Sequence, residues 1–539
     1  MPTKKQLITN TDFSPSETLC SSPIFKAFML LFLIAATWVC VPSVGAEAMT
    51  DIRVGLVSQY KDKDVITVYN TRIMFGYATD KAFEGGDIFY GGSGFSFEPD
   101  NSSYVVKSTV YKNYDEAKKA IGQSNTTGAI PVLKGPGTWQ LYEKSEKSNA
   151  TKRDCLIKVS FGKSAFLIDA AEGEQSKKYS PFPQIKAVAS KNDPEGRIIS
   201  LGTRSYRGRI EIVRKGGKLT AVNIISIEAY LCGVVTCEMD KTYSAEALKA
   251  QAVCARSYAL YKASFNCRGT LSEPYSLTDT TASQVYKGVT GESKEAIAAV
   301  SATQGEVIYS DGELVETFYF STSGGSTEGG IDVWGIKSAI YSSKPDLFEL
   351  NPEKAPWVIT YTLEEAGRLL KENGHDVGNV RNIKEMIVTE TGRVSSLKVT
   401  GTASSKTLGI QQAQSTFDLP SAKYKVLMGG TSFADTPYAI NDETREMLKK
   451  SGLFAISSNS SLSRIDSLDQ MIVISGDNMY NYPLKEVPTG SVAFFGMGYG
   501  HGIGMSQSGA QGMALKGYDY KEIINYYFDN IRIDKYIVA

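Results

Sequence analysis

"GMGYGHGIGMSQSGAQGMA", residues 496–514, is the stretch on which the reading of this chain turns, because two side-chain periods meet inside it. Its first half sets glycine at 496, 498, 500, 502 and 504, alternating with Met497, Tyr499, His501 and Ile503 and followed by Met505. Side chains alternate along an extended strand, so the expectation is a strand with one face of bare backbone that another segment can approach closely. From Gln507 the period lengthens, and Gln507, Ala510, Gln511, Ala514 and Leu515 fit a small-residue helix that Gly517 ends. Asp519 and Glu522 read as a capping box for a last helix over residues 520–528. A strand running directly into helices points to an α+β fold.

Upstream, the clearest helix is "AEALKAQAVCARSYALYKA", with Ser244 as N-cap, Glu246 in its first turn and a narrow face of Leu248, Ala252, Ala255 and Ala259. Strand-like runs precede it, with Gly216 and Gly217 as a hairpin turn. Residues 47–176 read as a small α+β domain: short β-like runs, a helix at "YDEAKKAIGQ", then strands at "GAIPVL" and "GTWQLYEK". That order loosely resembles the SPOR-type modules that bind glycan strands. Residues 177–196, rich in proline and charge, read as a linker, and 197–539 as one module. A helix at "TLEEAGRLLKENG" and strands at "IKEMIVTETGRVSSLKVTG" mark an α+β insertion at about 350–487.

The chain has 539 residues, enough for about three domains at roughly 150 residues each. Its 58 basic and 58 acidic residues balance, so nothing argues for nucleic acid as a partner. Lys4, Lys5 and Lys26 precede the uncharged apolar run 27–41, then Pro42 and small residues to Ala46. This reads as a signal peptide cut before Glu47 or after Ala48, or as a retained membrane anchor, and either outcome puts the remainder outside the cytoplasm. The membrane is then met only through that segment. Five cysteines follow it, at 155, 232, 237, 254 and 267, with no zinc-knuckle spacing, and His375 and His501 are the only histidines. No metal site and no cofactor is expected.

Four blocks in order, "YLCGVVTCEMDKTYSAEALKAQAVCARSYAL", "DTTASQVYKG", "TQGEVIYSDGELVETFYFSTSGGSTEGGIDVWG" and "GYGHGIGMSQSGAQGMALKGYDYKEIINYYF", resemble the stage II sporulation protein D family, which includes proteins described as amidase enhancers. The resemblance spans roughly residues 200–539 and implies a peptidoglycan lytic transglycosylase working in wall remodelling during sporulation. It places the catalytic acid at Glu238, whose neighbours Val234, Val235, Cys237 and Met239 suit a raised carboxyl pKa. A hydrolase would need a second carboxylate about 5–9.5 Å away, for which Asp240, Glu246 and Asp279 are candidates. Gln251 and Arg256 match polar positions of the family motif and are expected to hold the sugar or fix the acid. Ser321, Ser323, Gly324, Gly325 and Ser326 form a small-residue loop suited to glycan hydroxyls, and His501, Ser506 and Gln507 are expected to reach the same groove, with a neutral structural hydrogen-bonder as the other reading of His501. Asp240 departs from the family's usual proline and Cys237 from its small residue. The implied partners are peptidoglycan glycan strands and a cell-wall amidase or other sporulation wall hydrolase; the alternative function is a non-catalytic, glycan-binding stimulator of a cell-wall amidase.

Overall fold

The computed structural model describes residues 51–536 except 80–81, 124–127, 147–149, 171–179, 181, 190–195, 266–273, 350–355, 431–453, 457–461, 465–469, 476–477 and 484–486. The signal or anchor segment, Cys267 and much of the expected linker lie outside the described residues. The architecture is mixed α and β and rich in strands, with two large sheets and several small ones.

The first large sheet has seven strands, ordered Leu277–Thr278, Asp51–Gly55, Lys218–Ser226, Arg209–Lys215, Gln184–Ala187, Arg72–Ala78 and Phe83–Tyr90. Its centre is the hairpin of Arg209–Lys215 and Lys218–Ser226, turned by Gly216 and Gly217 at φ 58° and 79°, a turn that matches the twist of the two strands. Asp51–Gly55 runs antiparallel to Lys218–Ser226, Asp51 opposite Ser226, and parallel to Leu277–Thr278. The second sheet has ten strands, in which Ile198–Leu201 joins Ile66–Val68 through Leu201 and Val68. Both sheets therefore take strands from either side of residues 177–196, and Ile52, Phe97, Ile199 and Val253 belong to one hydrophobic core.

Ala245–Ser264 is the central helix, with 14 of its 20 residues buried. Alanines at 247, 250, 252, 255 and 259 let neighbours pack closely on every side of it. Ser244 has the extended backbone of an N-cap but makes no side-chain cap bond; its N–H donates to Gln511 Oε1 at 2.8 Å. The C-terminal helices Gln507–Leu515 and Tyr520–Tyr527 pack on this helix. Ser506 caps the first through Gly509 N–H, and Asp519 with Glu522 forms the expected capping box of the second.

The insertion has its own core, including Leu370, Leu397, Val399 and Phe417. That core also claims Val492 and Phe494, because Ser491–Met497 pairs with both Pro356–Thr362 and Tyr424–Met428. The strand leading into the glycine run thus belongs to the sheet of the insertion. The run itself corrects the expectation of one long strand, since extended structure stops at Met497. Gly498, Gly500, Gly502 and Gly504 have φ of 75°, 105°, 85° and 78°, in the left-handed region where a Cβ is strained. A Cβ there would strike, in turn, the carbonyl of Thr322, the side chain of Phe320, the guanidinium of Arg393 and the carbonyl of Phe318. The alternation is a succession of left-handed steps laid along residues 318–324.

Candidate active site

Glu238 ends the short helix Val235–Glu238, in the turn that leads to the central helix. Val234, Val235 and Met239 around it are buried. Burial raises its carboxyl pKa above the ordinary glutamate value, opposed by the Val285 N–H and then by the Gln507 side chain. The Val285 N–H donates to Oε1 at 2.6 Å. Gln507, at the first position of the C-terminal helix, also donates its Nε2 to Gln251 Oε1 at 3.4 Å. Gln251 lies on the central helix and is 0% exposed. The short helix, the central helix that follows it and the distant C-terminal helix therefore bring Glu238, Gln251 and Gln507 together.

A layer of tyrosines backs this group. Tyr230 donates to Gln284 Oε1 at 3.1 Å, and Gln284 Nε2 donates to the Tyr319 hydroxyl at 2.8 Å. Burial first, and the Glu238 charge among the further causes, hold the phenols of Tyr230 and Tyr319 well above 10 and push Tyr258 up to about 12. Gln284 and the Val285 amide stand in the block "DTTASQVYKG", so the sequence held their signal; a backbone N–H has none of its own.

The candidate second carboxylates are each committed elsewhere. Asp240 is exposed and caps its own turn through Thr242 N–H and Oγ1, both at 2.8 Å. Glu246 pairs with Lys249 at 2.6 Å and accepts from Tyr520 N–H. Asp279 accepts from Ser58 N–H at 2.9 Å and faces Arg204 at 3.7 Å.

Four residues expected at the sugar have their polar groups bonded within the protein. Arg256 is 0% exposed; its fork meets Glu228 at 2.9 and 2.8 Å, with further bonds to the carbonyls of Glu306 and Val300. With four donations made inside the protein, it presents no face to a ligand. His501 donates Nε2–H to Tyr319 O at 3.0 Å and accepts Ile503 N–H on Nδ1 at 3.1 Å, among Phe318, Phe320 and Trp334. Burial pushes its pKa down to about 4, so it is a neutral imidazole with both nitrogens used. Ser506 is 0% exposed and serves as the helix cap. Ser323, also buried, donates to Glu349 at 2.9 Å and accepts the Gly325 N–H.

The rest of the small-residue loop is likewise drawn inward. Lys423 Nζ donates to Gly324 O at 2.8 Å and to Ser326 Oγ at 3.0 Å, and Arg393 donates to the carbonyls of Ser323 and Ser326. Ser321 O accepts the Ser508 N–H at 3.0 Å. The loop anchors the insertion to the first turn of the helix that carries Gln507.

Comparison with known proteins agrees with this geometry in where it falls. Residues 215–309, which include Glu238, Gln251 and Gln284, match the family described as Stage II sporulation protein. The amidase enhancer of Bacillus subtilis is 29% identical over 313 residues, 57% of this chain and 40% of that protein. Stage II sporulation protein D of the same organism is 26% identical over 326 residues, 58% of this chain and 76% of its own length. An uncharacterized protein of Brachyspira hyodysenteriae is 25% identical over 331 residues, 61% of this chain and 73% of the relative.

Proposed function

Because the chain is a distant member of the stage II sporulation protein D family, with a role tied to cell-wall peptidoglycan, we propose that it cleaves peptidoglycan glycan strands as a lytic transglycosylase acting outside the cytoplasm. The observation that carries this reading is a single half-buried carboxyl, Glu238, with a raised pKa and a fixed donor at the Val285 N–H, its ion further favoured by the Gln507 side chain. A protonated Glu238 gives its proton to the glycosidic oxygen between N-acetylmuramic acid and N-acetylglucosamine as that C1–O bond breaks. The carboxylate left behind then takes the proton of the muramyl C6 hydroxyl while that oxygen bonds to C1 and closes a 1,6-anhydro ring. No water enters, so one carboxyl suffices, which accords with the commitments of Asp240, Glu246 and Asp279 elsewhere. Gln251 and Gln507 hold the carboxyl, and the setting is wall remodelling in sporulation.

The test is mass spectrometry of wall glycan, with and without stem peptides, after incubation with residues 47–539 or the Glu238→Gln variant. Products ending in 1,6-anhydro-N-acetylmuramic acid, absent with the variant, are expected. Reducing ends would mean hydrolysis and a second carboxylate. Sedimentation with glycan but no cleavage would favour a stimulator of an amidase, the role named for the relative at 29% identity.

A further inference from the structure

A group that serves as acid and then base needs hydrogen-bond donors as an ion and an acceptor as an acid; the inference below rests on that reading of Glu238. Val285 N–H can only donate. Gln507 is different, because a primary amide offers donors on one side and an acceptor on the other, and a half-turn exchanges them. In this structure Gln507 Nε2 donates to Gln251 Oε1 and the Gln507 amide favours the ionised Glu238 carboxyl, the arrangement that suits the ion. It leaves Gln251 Nε2 buried with no hydrogen-bond partner among the described residues. A buried N–H without a partner is costly, and an unpaired carbonyl at the same place is better tolerated.

We propose that Gln251 and Gln507 are positioning residues whose amides turn over together with the proton on Glu238. When Glu238 is ionised, Gln507 Nε2 donates to it and to Gln251 Oε1. When Glu238 is protonated, both amides rotate: its O–H donates to Gln507 Oε1, and Gln251 Nε2 donates to that same oxygen. One glutamine–glutamine hydrogen bond persists in both states, and the orphaned donor finds a partner in the second. The cradle thereby fits the acid and the base in turn. The other titratable groups facing Glu238 are Tyr230, Tyr258, Tyr319 and the adjoining Cys237, all held neutral through the range by raised pKa values.

Glutamine-selective 15N labelling of the whole chain tests this. The side-chain amide signals are assigned with Gln507→Met and Gln251→Met, or the isosteric Gln251→Glu where the methionine variant does not fold, and followed across pH. Both signals should shift with one shared midpoint, and neither should shift in Glu238→Gln. A Gln251 signal indifferent to pH while Gln507 responds would overturn the proposal, as would a shared shift that survives in Glu238→Gln. Neither readout requires turnover, so failure of the transglycosylase reading, seen in the glycan products, is separable from failure of the amide pair.

Discussion

Arg256→Met is expected to weaken the fold and leave glycan binding as it was. The wild-type guanidinium makes two charge-assisted bonds to Glu228 and two bonds to backbone carbonyls, with no exposed surface. Removing one partner of a buried pair costs about 3–5 kcal/mol when the other is stranded. Glu228 is 28% exposed, so water reaches it and the pair loss falls toward the lower limit. The two carbonyls give up about 1 kcal/mol each, partly recovered by relaxation around the thioether. About 3–4 kcal/mol results, which at roughly 2–4 °C per kcal/mol for a large domain lowers the melting temperature by about 6–16 °C. Arg256→Lys, which keeps the charge and loses the fork, should fall between. Near-ultraviolet circular dichroism melts and glycan sedimentation at a temperature where both proteins are folded make the comparison. An unchanged melting temperature with a lost affinity for glycan would refute this argument and return Arg256 to the sugar.

Gly504→Ala and Gly217→Ala compare two glycines at nearly the same φ, 78° and 79°. The alanine at 217 meets open space and pays only the left-handed penalty of about 1–2 kcal/mol, whereas at 504 its Cβ runs into the Phe318 carbonyl. The 504 variant should melt markedly lower, and equal melting temperatures would show that the glycine run does not pack as described. His501, with its pKa pushed down to about 4 from an ordinary value near 6.5, refuses a proton that the unfolded chain accepts. Its contribution to stability is therefore complete above about pH 6.5 and lost as pH falls toward 4. The urea midpoint should drop over that window, and less steeply in His501→Gln; a steeper drop in the variant would contradict the neutral, half-buried imidazole.

Much of this was legible because local rules were not overridden. The helix Tyr114–Gln123, the Gly216–Gly217 hairpin and the Asp519–Glu522 capping box appear where the residues predict them. The raised pKa of Glu238 follows from its apolar neighbours in the sequence. What failed was the step from polarity to exposure. Arg256, Ser323, Ser506 and His501 are polar residues whose polar groups are bonded within the protein, and for Arg256, Ser323 and His501 a partner lies on a segment well removed in sequence. The glycine alternation misled for a related reason: period two describes a strand only while φ stays negative, and four of its five glycines use positive φ.

The place of Asp51–Gly55 bears on how the molecule comes into being. It is the first described strand to be synthesised, and it lies between Lys218–Ser226 and Leu277–Thr278. One of its edges has no native neighbour until residue 226 has emerged and the other none until residue 278, so this strand cannot complete its sheet in the order of synthesis. In a chain delivered end-first through a narrow exit this strand keeps an open edge until more than half the length has passed, exposed to proteases and stray pairing until the late strand arrives.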